Sequence, residues 1–306
     1  MKSITLFILF TCLAGIAIAQ NSYPVSWEFR SEQTAPLTYR VILRATVKAP
    51  YHIYPRQASG GMGLPTEIIF EENDNVTFVD EIQEKGMEQK DGETLAYYAK
   101  GVTFSQTITL RSEKPTSLPI TIKYMACTKQ MCLPPAKKQY TLAINHKDVA
   151  GPAADTEPED KIENSVKTDI RYEDFSMMGI NGKLISASEV VNNSRYTFID
   201  FWASWCAPCR KQGRGLIPIY NKYKGKGFGV IGVSLDTDGT AWKKAIQSDG
   251  YTWTNLCDLK GFASPLSKKY NITAIPRNIL IDRNGQIIAK DLHGKELEAT
   301  IEKLFK

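Results

Sequence analysis

Period-two alternation dominates the first half of the chain. Val41, Leu43, Ala45 and Val47 alternate with polar neighbours, Val102, Phe104 and Ile108 do the same among Thr and Gln, and Leu118 to Met125 and Tyr140 to Ile144 follow. Side chains two apart share one face of a strand, so the pattern predicts half-buried antiparallel sheet. Gly60 to Pro65, Asp91-Gly92 and Lys114-Pro115 supply turns. No helical period interrupts Tyr23 to Ile144, which predicts an all-β sandwich over residues 20–146.

Residues 147–168 break the pattern. The run Gly151-Pro152-Ala153-Ala154-Asp155-Thr156-Glu157-Pro158-Glu159-Asp160 is small, acidic and proline-bearing, with almost nothing to bury, and reads as a linker. A flexible coil of that length has an r.m.s. span of roughly 25 Å, short enough to keep two domains in contact range.

Over residues 169–306 strand and helix periods alternate. Thr197 to Trp202 and Phe228 to Leu235 are apolar runs suited to buried strands. A helix is expected to begin near Cys206 and run past Tyr220, with others around Trp242, Ala245 and Ile246 and over Ala263 to Tyr270. Asn278 to Ile281, the turn Asp282-Arg283-Asn284-Gly285 and Gln286 to Ala289 predict a hairpin, and Leu297, Ile301 and Leu304 predict a closing helix. This half is therefore α/β with a mixed sheet.

The first residues stand apart. Lys2, the apolar run Ile4 to Ile18 and Ala17-Ile18-Ala19 before Gln20 form the pattern of a cleaved export signal over residues 1–19. About fifteen apolar residues fall short of the roughly twenty that span a bilayer. Cys12 follows Thr11, not the small residue expected before a lipidated cysteine, so lipoprotein anchoring is disfavoured. The expected compartment is the periplasm, where disulfides persist.

Composition narrows the classes. In 306 residues, 42% apolar and 23% charged, two cores are affordable, and neither a disordered chain nor a disulfide-dense miniprotein is expected. A net charge of +5 with no long basic run argues against a nucleic-acid partner.

Setting Cys12 aside, Cys127 and Cys132, Cys206 and Cys209 form two close pairs, with Cys257 left over. A helix starting at Cys206 would place that sulfur over unpaired N–H groups and favour its thiolate, making Cys206 the candidate nucleophile. Cys209 lies three residues on, within disulfide reach, and could resolve a mixed disulfide. Pro208 suits a first helical turn. A zinc site would need a second metal-spaced pair, which this half lacks, and a fixed disulfide closing so short a loop would constrain little. For Cys127 and Cys132 the residues alone leave two readings open, a structural disulfide across a turn or a redox pair. Cys257 reads as core filler; His52, His146 and His293 show no ligand spacing; Arg210 and Lys211 read as solvated helix positions.

The run Phe198-Ile199-Asp200-Phe201-Trp202-Ala203-Ser204-Trp205-Cys206-Ala207-Pro208-Cys209, with Ala274-Ile275-Pro276 further on, resembles the thioredoxin superfamily, and the spacing of Gly227 to Leu235, Leu256 to Gly261 and Asp282 to Gly285 resembles its exported TlpA and ResA branch. The resemblance implies a cis Pro276 beside the nucleophile, exposed backbone there for an incoming peptide, docking through Trp205 and Ile275, and a buried Asp200 that moves the proton of the resolving thiol. Desolvation under a helix start would raise the pKa of that carboxyl. One departure stands out. ResA-like reductases carry an acidic residue where this chain has Gln212, which cannot titrate.

The segment Val25 to Ile144, with His52-Ile53-Tyr54, Leu64-Pro65-Thr66, Tyr98 to Thr107 and the block Cys127 to Pro135, is similar to the amino-terminal domain of the disulfide reductase DsbD. That likeness implies an immunoglobulin-like sandwich, an exchangeable Cys127–Cys132 disulfide, and a capping loop near Lys90 to Tyr98. It further implies a thiol:disulfide oxidoreductase without metal or organic cofactor. Electrons would pass from a separate membrane donor of DsbD or CcdA type through both pairs to exported protein thiols, apocytochrome c among them. A net oxidant or isomerase is the enzymatic alternative. A partner-binding protein with structural disulfides is the alternative of another class.

Overall fold

The computed structural model describes residues 23–57, 63–91, 95–144 and 171–306; the expected export signal with Cys12, the linker and His146 lie outside these residues. In the first half, β1 (Val25–Ala35), β2 (Thr38–Val47), β3 (Glu67–Phe70), β4 (Val76–Phe78), β5 (Gln83–Asp91), β6 (Leu95–Leu110), β7 (Thr116–Tyr124) and β8 (Ala136–Ile144) form two antiparallel sheets. One has the order β1-β2-β6-β4, with β5 also on β6; the other has β3-β7-β8. Val41, Leu43, Phe104 and Ile108 from one sheet meet Leu118, Ile120 and Ile122 from the other in a closed core. The two sheets make the all-β sandwich that alternation predicts, in the immunoglobulin-like form that the resemblance implies. β5 carried no such signal. It is a polar, exposed strand that forms because the long β6 offers it a hydrogen-bonding edge.

The second half contains β9 (Ser176–Gly179), β10 (Leu184–Ser186), α1 (Ser188–Val191), β11 (Tyr196–Trp202), α2 (Ala207–Tyr223), β12 (Phe228–Ser234), α3 (Gly239–Asp249), β13 (Thr254–Cys257), α4 (Pro265–Lys269), β14 (Arg277–Asp282), β15 (Ile287–Lys290) and α5 (Gly294–Leu304). The seven strands run β10-β9-β13-β12-β11-β14-β15, with β11 to β13 parallel and β14 antiparallel to β11. β11 and β12 are covered on both faces, which is why they read as unbroken apolar runs. The helix expected over Ala263 to Tyr270 is interrupted: a short 3-10 turn at Gly261–Ala263 precedes α4. The cause is Pro265, whose ring pushes Ser264 out of helical geometry, to φ −51° and ψ 133°.

The two halves meet. Tyr54, Met125, Cys127 and Cys132 of the sandwich belong to the same buried apolar cluster as Phe201, Trp205, Cys206 and Ile275.

Candidate functional site

β11 delivers the chain to the site, and the loop Ala203-Ser204-Trp205 turns it into α2. Asp236, just past β12, fixes that loop by accepting from the Ser204 amide at 2.9 Å and the Ser204 hydroxyl at 2.6 Å, while Ser234 donates a third bond at 2.6 Å. Burial pushes the Asp236 carboxyl up, and these three donors oppose it.

Cys206 caps α2. Its backbone is extended, with φ −86° and ψ 97°, and its Sγ accepts from the Cys209 amide at 3.2 Å. Pro208 occupies the first turn, where no intrahelical donor is lost. Cys206 and Cys209 form a disulfide with Cα atoms 5.2 Å apart.

Arg210, read from sequence as a solvated helix position, is instead buried. Its guanidinium grips both Asp249 oxygens, at 2.7 and 2.8 Å, and ties α2 to the end of α3. Tyr251 joins the contact by donating to the Arg210 carbonyl at 3.2 Å. The sequence missed this pairing because its partners are 39 positions apart.

Asp200 sits on β11, fully enclosed, and burial raises its carboxyl to about 7. Gln212 Nε2 donates to Asp200 Oδ1 at 3.0 Å and opposes the shift. On its other side, Gln212 Oε1 lies 2.5 Å from His293 Nδ1.

The Ile275–Pro276 peptide is cis, and the Ile275 carbonyl oxygen lies 3.9 Å from Cys206 Sγ. The same carbonyl accepts from the Cys132 amide at 2.7 Å, and the Ile275 amide donates to the Cys132 carbonyl at 3.0 Å. Cys132 is thus the next strand-like partner of the loop that flanks Cys206.

Cys127 and Cys132 form the second disulfide, with Cα atoms 4.0 Å apart. Between them Thr128 folds a turn, its hydroxyl accepting from the Gln130 and Met131 amides at 3.1 Å each. His52 pairs with Cys127 through reciprocal backbone bonds of 2.8 and 3.0 Å. His52, Cys127, Cys132 and Ile275 therefore succeed one another in a single antiparallel ladder that crosses from one domain into the other. Residues directly opposite in such pairs project from the same face.

Tyr54, on the same strand face as His52, places its hydroxyl 3.3 Å from His52 Nε2, and the Tyr97 ring packs 4.4 Å from the imidazole. Tyr97 belongs to the stretch expected to cap the pair, of which residues 92–94 lie outside the described residues.

A third hydrogen bond joins the domains: the Gly63 amide donates to the Trp205 carbonyl at 2.8 Å. Gly63 has φ +81°, and a Cβ there would meet the Tyr54 ring at 2.5 Å, so the close approach needs glycine. All four paired cysteines have at most 1% of their surface exposed, so the docked faces seal both disulfides.

Cys257 is a free, buried thiol that donates to the Asp236 carbonyl at 3.6 Å. Burial pushes its pKa up and disfavours the thiolate. His52 and His293 were set aside in the sequence because they show no ligand spacing, and Gly63 was read there only as part of a turn. For His52 and Tyr54 a period-two signal existed, since both share a face within the His52-Ile53-Tyr54 motif.

Comparison with known proteins matches each half. Residues 22–144 match the family of the thiol:disulfide interchange protein DsbD, N-terminal domain, and residues 193–287 match a thioredoxin-like family. The thiol-disulfide oxidoreductase ResA of Bacillus thuringiensis subsp. konkukian is 26% identical over 132 residues, covering 43% of this chain and 73% of its own length. The sporulation thiol-disulfide oxidoreductase A of Bacillus subtilis is 28% identical over 116 residues, covering 37% of this chain and 67% of its own. Among solved structures, a thiol-disulfide oxidoreductase from Bacteroides fragilis is 35% identical, with a TM-score of 0.42, over 44% of this chain and 99% of that one. With a DsbD-type amino-terminal domain, a thioredoxin-like domain and two cysteine pairs at disulfide distance, the chain belongs to the thiol-disulfide oxidoreductases.

Proposed function

We propose that this oxidoreductase is a periplasmic reductant in which Cys206 and Cys209 pass electrons to the Cys127–Cys132 disulfide, and the reduced pair passes them on to disulfides of exported proteins, leaving those as thiols. The observation that carries the reading is the pairing of Cys132 with Ile275, whose carbonyl also contacts the Cys206 sulfur.

The cycle starts when a separate membrane donor of DsbD or CcdA type reduces the Cys206–Cys209 disulfide. The Cys206 thiolate, favoured by the α2 amides, attacks the Cys132 sulfur. The Cys206–Cys132 bond forms, the Cys127–Cys132 bond breaks, and Cys127 leaves as a thiolate. Asp200 takes the proton of Cys209, whose thiolate attacks Cys206 and releases Cys132. Two electrons have then moved to the sandwich. Once the domains part, the reduced Cys127 and Cys132 cleave an external disulfide, giving a substrate dithiol and restoring their own bond. Pro276 and Ile275 hold the partner backbone, and Trp205 lines the docking face. Apocytochrome c is one substrate class that this chemistry serves.

The division into a signal at 1–19, a sandwich domain at 20–146, a linker at 147–168 and a thioredoxin-like domain at 169–306 fits this cycle. A tether on this scale gives effective concentrations of order mM, enough for repeated docking. Among the described residues no helix is long and apolar enough to cross a membrane.

Reduction potentials test the direction. The protein is equilibrated in graded thiol buffers and both pairs are quantified by peptide mass spectrometry. The reading expects values below about −200 mV, with the Cys206 pair at or below the Cys127 pair; values near −120 mV would make the protein an oxidant. Cys127→Ser should leave the Cys206 pair active on a small disulfide while stopping delivery to the natural acceptor. Undiminished delivery would overturn the relay.

A further inference from the structure

Gln212 stands where ResA-like reductases are acidic, yet it is the side chain that touches Asp200. Its amide is directional. The NH2 end donates to Asp200 Oδ1 at 3.0 Å, so the oxygen end must accept, and what meets it at 2.5 Å is His293 Nδ1. That pairing requires a hydrogen on His293 Nδ1. The result is an oriented chain from an exposed imidazole at the start of α5, through an amide on α2, to an enclosed carboxylate on β11.

We propose that Gln212 and His293 set the proton affinity of Asp200, with His293 acting as a positioning residue for the proton transfer that frees Cys209. This deepens the role given to Asp200 above and rests on it.

The chain has two consistent orientations. With Asp200 ionised, His293 Nδ1–H donates to Oε1 and the amide donates to the carboxylate. When Asp200 takes a proton on Oδ1 it becomes a donor, the amide must turn over, and its NH2 then needs a bare Nδ1. An imidazolium always carries that hydrogen, so charging His293 holds the amide facing a carboxylate and disfavours the proton on Oδ1.

The charged groups around His293 are few. Asp291 and Glu296 lie on its own connection and helix, and Arg277 comes from β14, where it is paired with Asp291 at 2.6 Å. Burial lowers the His293 pKa, the two carboxylates raise it and Arg277 lowers it. Around Asp200, Gln212 donates the hydrogen bond, and the Asp200 charge acts on Tyr251.

The test follows the Asp200 carboxyl carbon by NMR across pH in the full oxidised chain, in parallel with the pH profile of mixed-disulfide resolution by Cys209. Gln212→Ala should move the Asp200 midpoint up by about one pH unit, the tenfold change that loss of one bond to a carboxylate brings. His293→Phe, which keeps bulk but not the donor, should move it up by about half a pH unit. His293→Asn, whose amide NH2 can replace Nδ1–H, should restore it. An unmoved midpoint in His293→Phe would overturn the inference. If instead Asp200→Asn leaves the resolution profile unchanged, the proton-acceptor reading of Asp200 fails, whatever the midpoints do.

Discussion

Asp200 shows how enclosing one carboxyl makes folding stability depend on pH. An ordinary aspartate titrates near 4 and Asp200 near 7, so between those values the folded chain binds a proton that the unfolded chain lacks. Folding stability from this site is therefore greatest below about pH 4 and falls as pH rises toward 7. Asp200→Asn removes the dependence and should stabilise the protein at pH 8 by up to about 4 kcal/mol, with little gain at pH 4. Urea denaturation of the oxidised forms at both pH values checks this; equal gains at the two would contradict it. The pairing of Cys206 with Cys209 was expected from their spacing, and the burial of Asp200 and the cis peptide before Pro276 from the resemblance to the thioredoxin superfamily; the structure has all three features. Gln212 stood out in the sequence as a departure, but its contact with His293 was not legible, because 81 residues separate them and no local pattern encodes it.

At the scale of elements, α2 is held in place by a buried ion pair. Arg210 and Asp249 are 8% and 4% exposed as side chains, so removing Arg210 takes the bidentate partner from a buried carboxylate and leaves it with the more exposed Arg214 at 3.2 Å and the Tyr251 hydroxyl at 3.1 Å. Arg210→Met should cost about 3–5 kcal/mol, the usual penalty for breaking such a pair. A loss under about 1 kcal/mol in urea unfolding would show the contact to be dispensable. The pH sign here is the reverse of that at Asp200. Burial pushes Asp249 up, but the Arg210 hydrogen bond and charge outweigh it and hold the carboxyl below the usual range. This contribution is present above the ordinary aspartate pKa and is lost as pH falls through the lowered one. The central strands and most helices were readable because burial on two faces or one stripe leaves a period. β5 was hidden by its polar composition, since its pairing comes from β6 rather than from its own side chains.

For the whole molecule, the docked face is the feature that no single domain contains. The sandwich lends its cysteine hairpin as an extra strand partner to the Ile275 loop, and Gly63 closes the rim on Trp205. Gly63→Val would force a Cβ into the Tyr54 ring at a backbone angle that valine rarely adopts. Loss of that hydrogen bond and approach should raise the rate at which a water-soluble phosphine reduces both disulfides by about tenfold, the effect of roughly 1.4 kcal/mol on an opening equilibrium. An unchanged rate would mean that the seal does not depend on this contact. Sequence predicted two domains within tether range and, through the family resemblance, docking at Trp205 and Ile275; that Cys132 and Gly63 are what meets them was not legible, because these contacts run through backbone groups that carry no residue signature.

The direct exchange between the two pairs is tested most sharply by a chain carrying Cys127→Ser and Cys209→Ser, which keeps Cys132, Cys206 and the buried Cys257. Mild oxidation followed by peptide mapping should give an intrachain Cys132–Cys206 disulfide. Its rate should be independent of protein concentration and above what a tether of order mM accounts for. If both thiols stay free, or if the bond forms only between chains, the two pairs do not face each other in solution and the relay is wrong.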